Sequence, residues 1–142
     1  MRSFISLLCA ASLAFLCVGA SLPSASVVYY TVSLADREGH HIRVRMEFDA
    51  GRDPQVDLRL PVWNALYQVQ DFAAYVSGVQ ASAADGTAAP VEKLEKSRWR
   101  ITPPGPGVIV LQYRVFADRP GPFGAQLDSR HAFINPAQIL MY

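Results

Sequence analysis

The sequence has 142 residues, of which 51% are hydrophobic and 18% charged, with a formal net charge of +1. That length suits one domain, and a chain of this size buries roughly two-thirds of its unfolded surface without help from a metal or a disulfide. The composition excludes a disordered chain, and the charge balance lacks the basic stripe of a nucleic-acid binder or the basic cluster of an anionic-membrane binder.

The first twenty residues are unlike the rest. Arg2 is the only charge before Asp36, and an apolar run extends from Phe4 to Val18. Val18-Gly19-Ala20 then presents small residues to a signal peptidase. This pattern predicts an N-terminal signal helix over 1–20, cleaved after Ala20, with a site near Ala25 as the alternative. The rival reading is a retained anchor helix, for which the run is short against the roughly 20 residues of a membrane span. Both cysteines, Cys9 and Cys17, lie inside the signal, so the mature domain has none to pair. Phe15-Leu16 before Cys17 lacks the small residue expected ahead of a lipidated cysteine. Once Arg2 is removed, 12 basic residues balance 12 acidic ones. The expectation is an exported protein, periplasmic or extracellular, that binds no nucleic acid and leaves the membrane once its signal is cleaved.

Beyond the signal the dominant period is two. His41-Ile42-Arg43-Val44-Arg45-Met46-Glu47-Phe48-Asp49 alternates polar and apolar throughout. Side chains on a strand point to opposite faces in turn, so Ile42, Val44, Met46 and Phe48 should line a core. Val27 to Leu34 has strand composition, and Asp36 to Gly39 reads as the turn of an antiparallel hairpin. Gln55 to Leu60 repeats the alternation, with Val56, Leu58 and Leu60 inward, until Pro61 removes an amide donor. Leu66 to Val79 reads as a bent strand or as a short helix followed by a strand. Ala81 to Pro90 is a small-residue turn segment around Asp85-Gly86. Val91 to Glu95 and Arg98 to Ile101 are short strands, and Pro103 to Gly107 is a break.

Val108 to Ala117 reads as the longest strand, with Ile109, Leu111, Tyr113 and Val115 on one face and a mixed opposite face. That mixture places it centrally in a sheet. Asp118 to Gly124 is a loop. Ile139-Leu140-Met141-Tyr142 looks like a strand beginning, which either pairs back onto the domain or leads into further chain. About seven short strands and no long helix predict an all-β antiparallel β-sandwich over 27–142.

A search for chemistry returns little. His40 and His41 are adjacent on a strand and face opposite ways, and His131 is remote in sequence, so no converging metal site is expected. Asp128-Ser129-Arg130-His131 holds the residue types of a serine triad, but not a spacing that brings a base onto a nucleophile. No G-x-S-x-G elbow, H-E-x-x-H helix or glycine-rich phosphate loop is present. The aromatics Trp63, Tyr67, Phe72, Tyr75 and Trp99 serve either a core or a stacking platform, and small β domains favour the core.

One stretch is more specific. Leu60-Pro61-Val62-Trp63-Asn64-Ala65-Leu66-Tyr67-Gln68-Val69-Gln70-Asp71-Phe72-Ala73 resembles the N-terminal domain of the glycyl aminopeptidase family, zinc metallopeptidases that often carry a PDZ domain. The matching positions are Leu60, Pro61, Trp63, Tyr67, Asp71, Phe72 and Ala73. Lys96 to Ile101, with Trp99, resembles the family's second tryptophan strand. Val110 to Ala117, with Tyr113, resembles the strand after it, and His131 to Pro136 resembles the end of the domain. Asn64-Ala65 departs from the Pro-Gly of many members.

The resemblance implies a β-sandwich beside a catalytic domain. In the family that domain follows this one and holds zinc with an H-E-x-x-H helix; its glutamate assists a zinc-activated water. None of those groups is in this sequence, so no catalytic or metal residue is assigned, no cofactor is expected here, and zinc is implied only for the other domain. The signature residues Leu60, Pro61, Trp63, Tyr67, Asp71, Phe72, Trp99 and Tyr113 are expected to be structural. Phe133, Ile139, Leu140 and Tyr142 are candidate docking residues for a metallopeptidase catalytic domain in cis or in trans. The leading reading is a non-catalytic module of an exported peptidase, in a truncated or fragment chain. The alternative is a free-standing secreted binding module that takes peptide or glycan on exposed aromatics.

Overall fold

In the computed structural model the described residues are 27–63, 68–119, 121 and 124–142. The signal helix expected over 1–20, Asn64-Ala65 and Tyr67 therefore lie outside them. The fold is all-β. Strands β1 (Tyr29–Asp36) and β2 (His41–Asp49) form the expected hairpin. The turn between them is fastened where the Gly39 amide donates to Asp36 Oδ1 at 3.2 Å.

Strand β3 (Val56–Arg59) comes next, and a 3-10 turn at Phe72–Tyr75 leads into β4 (Val76–Ala83). A tight turn at Asp85-Gly86 joins β4 to β5 (Ala88–Ala89). There Asp85 Oδ1 accepts the Thr87 amide at 2.8 Å, and Gly86 takes φ +90°, a conformation open to glycine. Strands β6 (Val91–Glu95), β7 (Arg98–Ile101) and β8 (Val108–Phe116) follow, then two-residue strands β9 (Gln126–Leu127) and β10 (Ala132–Phe133). A single-turn helix α1 (Pro136–Ile139) ends the regular structure.

The strands form a five-stranded sheet, β1-β2-β8-β4-β5, a three-stranded sheet, β3-β7-β6, and the small β9-β10 pair. β8 is central, as its two-sided composition predicts. Proline marks two crossings between the larger sheets. Pro90 separates β5 from β6, and Pro103 to Gly107 separates β7 from β8. Lacking an amide, proline cannot continue a ladder, and the chain leaves the sheet there.

The inner faces meet in one core. Ile42, Val44, Met46 and Phe48 from β2 and Ile109, Leu111, Tyr113 and Val115 from β8 join Leu58, Trp99 and Ile101 of the smaller sheet. The alternation read from β2, β3 and β8 therefore names about half of the core. Three details differ from expectation. Ala81 to Ala83 belong to β4 and Ala88-Ala89 to β5, because backbone pairing holds them where small side chains show no period. Strands of two residues, β5, β9 and β10, are too short to carry a period at all. The apolar C-terminal run is first a helical turn, not a strand, because Asn135 and Pro136 start a helix. Asn135 Oδ1 accepts the Ala137 amide at 3.1 Å, and Pro136 needs no partner at the first helical position.

Candidate functional site

The signature residues do not form a cleft; they divide between core and surface. Leu60, Phe72, Trp99 and Tyr113 are buried, and Pro61 is half-buried. Leu60 donates its amide to Ser97 O at 2.9 Å, so β3 stays attached to the β6–β7 turn up to Pro61. Asp71 precedes the 3-10 turn without capping it through its side chain. Its carboxylate lies 4.0 Å from Lys96 Nζ, both groups well exposed. Trp63 is 55% exposed, in a bridge with Val69, which is 69% exposed. The two tryptophans, read alike in the sequence, thus have opposite roles. Trp99 is a core residue roofed by Lys93, whose Nζ stands 5.1 Å from the ring centroid. Trp63 is a surface aromatic.

Tyr113 does more than fill space. Its buried hydroxyl donates to Ile139 O at 2.7 Å and accepts the Met141 amide at 3.2 Å. Burial pushes its ionisation well above the ordinary tyrosine range. Tyr30 on β1 donates its hydroxyl to Met141 O, and burial raises its ionisation too. Two strands of the large sheet thus grip the final residues. Beyond them Tyr142 and Arg59 exchange both backbone hydrogen bonds at 2.8 Å, which adds an extended residue to the β3 edge. The C-terminal run pairs back onto the domain. Tyr30 and Met141 escaped the sequence reading because nothing local signals a hydroxyl-to-backbone bond over 111 residues.

This clamp sorts the candidate docking residues. Ile139 and Met141 are core, at 2% and 0% exposure. Leu140 is half-buried. Phe133 at 47% and Tyr142 at 67% are exposed. Ile139 has no surface to offer, which leaves Phe133 and Tyr142 exposed and Leu140 partly so.

The histidines have separate partners. His40, at φ +53° in the β1–β2 turn, places Nδ1 2.6 Å from Leu127 O. His41 Nδ1 is 3.9 Å from Asp36 Oδ2. His131 Nδ1 is 2.9 Å from Asp128 Oδ2. Among the described residues no three of His, Cys, Asp and Glu gather as a metal site.

The Asp128–His131 pair supplies the acid and base of the sequence triad but not its direction. His131 Nε2 faces Gln126 Oε1 at 3.3 Å rather than a hydroxyl. Asp128 Oδ1 meanwhile accepts the amides of Arg130 and His131 at 2.7 and 2.9 Å. Those amides hold its carboxyl below the usual carboxylate range. The group closes a turn.

A family model, the Peptidase M61 N-terminal domain, matches residues 29–142. Among solved structures, the crystal structure of an aminopeptidase N family protein from Idiomarina loihiensis is similar over 81% of this chain, with a TM-score of 0.73 and 26% sequence identity. The match takes in 19% of that protein, so this chain spans about a fifth of its length. No curated protein sequence matches.

Proposed function

The chain belongs to the Peptidase M61 N-terminal domain family, and from that premise we propose that it is the non-catalytic front module of an exported, glycyl-aminopeptidase-like metallopeptidase. The observation that carries this reading is the family match across 29–142 joined to a structural likeness covering 81% of the chain. In this reading the zinc and its water-activating glutamate reside in a catalytic domain that follows. The sandwich packs beside that domain and helps to shape its cleft. Trp63, Phe133 and Tyr142 are among the exposed apolar side chains available to it. Export follows from the signal over 1–20, with maturation after Ala20.

Two measurements test this. The purified chain is assayed for hydrolysis of glycyl-4-nitroanilide with and without added zinc. No zinc-dependent turnover is expected, and turnover by homogeneous protein would refute the non-catalytic role. Intact mass after expression with the native leader should show a chain starting at Ser21. A chain that retains residues 1–20 in the membrane fraction contradicts the export model.

A further inference from the structure

The outer face of the five-stranded sheet holds a surface that the peptidase reading does not use. Pairing of β2 with β8 puts Arg43 directly opposite Arg114 and Arg45 opposite Gln112. The flanking strands extend both rows. Ser33, Arg43, Arg114 and Ser77 form one, and Thr31, Arg45, Gln112 and Gln80 the next. Neither row contains a carboxylate. Acids stand only at the two ends: Glu47 Oε1 is 3.0 Å from Arg45 Nε, and Asp36 Oδ2 is 4.0 Å from Arg43 Nη2. Among the described residues Arg114 has no carboxylate in ion-pair range.

Like charges directly across a ladder destabilise a sheet. Here the pair is central, and the local backbone is shaped around it. The β4–β8 register shifts between Ser77 and Gln80, and Gly78 in that bulge has φ +62°. Side chains rarely adopt this conformation. The Arg114 guanidinium lies against the bare glycine, Nε 3.6 Å from where a Cβ would stand. The result is an open groove of about 520 Å³ lined by these arginines, hydroxyls and amides. It continues past Gln80 and Gln112 into a second groove of about 450 Å³, with Ala81, Ala88 and Val110 among its walls. The trough is cationic at one end and uncharged at the other, where Gln80, Ser82, Gln112 and Ala88 line it beside the buried Val110.

We propose that this trough binds an extended acidic polypeptide segment, its carboxylates on Arg43, Arg45 and Arg114 and its small uncharged residues over Gln80, Ser82 and Ala88. Arginine forks match carboxylate geometry, and the neighbouring serine, threonine and glutamine side chains can pair with a peptide backbone. A compact anion would fill the charged end and leave the uncharged end unused. The elongated shape is therefore what favours a polypeptide. The inference concerns this chain alone and stands whether or not a peptidase domain is joined to it.

The test is fluorescence anisotropy with the full chain at low salt, about 20 mM. The probe is a labelled hexapeptide of three glutamates followed by alanine, leucine and alanine, made in both chain directions. Binding should weaken as salt rises and should fall about tenfold or more in Arg43→Gln/Arg114→Gln. Arg52→Gln, an exposed arginine in the turn after β2, should change nothing. Arg114→Glu should reject the acidic probe and accept a lysine counterpart, and thermal melting confirms that each variant is folded. Equal loss with Arg52→Gln, or no binding by the folded wild-type chain, overturns the proposal. So does complete displacement by millimolar phosphate, which marks a free-anion site, or tighter binding of a DNA strand, which marks a polyanion surface.

Discussion

Strands β2 and β8 share nine paired positions, and their two faces have opposite characters. On the inner face Ile42, Val44, Met46 and Phe48 oppose Val115, Tyr113, Leu111 and Ile109, all buried. On the outer face Arg43, Arg45 and Glu47 oppose Arg114, Gln112 and Val110, and of these only Val110 is buried. The backbone and its hydrogen bonds serve both faces equally. What separates them is the solvent each side chain meets. The inner face answers to packing, where each methylene counts. The outer face contributes little to folding and can hold charge arrangements, including an unfavourable one, that packing would never select.

The sharpest way to break this contrast is a pair of adjacent substitutions. Leu111 is fully buried and Gln112 is exposed. Leu111→Ala removes three buried carbons and leaves a cavity, so urea unfolding should show a loss of about 2–5 kcal/mol. Gln112→Ala should stay within about 0.5 kcal/mol of wild type. Similar losses at both positions would mean that the outer face is covered and structurally essential.

That contrast also explains how far the sequence could be read. Where one face is buried, period two is strict, and β2, β3 and β8 were legible residue by residue. Where neither face is clearly favoured the period fades, and Ala81 to Pro90 read as a turn segment although half of it is strand. The C-terminal run was legible only in part, since Tyr142 pairs back onto Arg59 but Ile139 ends a helical turn. Ile139, Leu140 and Met141 are apolar in helix or strand alike, and the deciding signal was the Asn135-Pro136 start. Trp63 and Trp99 show the same limit for single residues, because composition ranks tryptophan as core without saying which copy finds it. The arginine rows were half legible. Alternation puts Arg43 and Arg45 on the solvent side of their strand, but only the register between strands distant in sequence sets Arg43 against Arg114.

Tyr113 lies on the inner face yet carries a polar group, and so tests the contrast from within. Tyr113→Phe keeps the ring and deprives the Ile139 carbonyl and the Met141 amide of their partner. A loss of about 1–3 kcal/mol is expected, the cost of leaving buried backbone groups unpaired. Exchange of the Met141 amide should quicken more than that of amides in β2. The pH dependence has a definite sign. Burial raises the folded-state ionisation of Tyr113, so its stabilising effect is complete below the unfolded tyrosine value of about 10 and is lost as pH climbs above it. Wild-type melting temperature should therefore fall more steeply above pH about 10 than that of Tyr113→Phe. Parallel curves would show that the hydroxyl is not held in a dry site.

The smallest expected effect belongs to the outer face and has the opposite sign. If Arg43 and Arg114 repel each other across the ladder, Arg114→Gln should raise stability. The gain is a few tenths of a kcal/mol, since both charges meet solvent. Salt separates this cause from any other. Screening acts over about 10 Å at 0.1 M and about 3 Å at 1 M, so the advantage of Arg114→Gln should shrink as salt is added. A gain that persists at 1 M salt would point to the glutamine's fit beside Gly78 instead. A loss in place of a gain would mean that the guanidinium stabilises the bulge it covers, and that the cationic row is part of the fold and not a surface maintained against it.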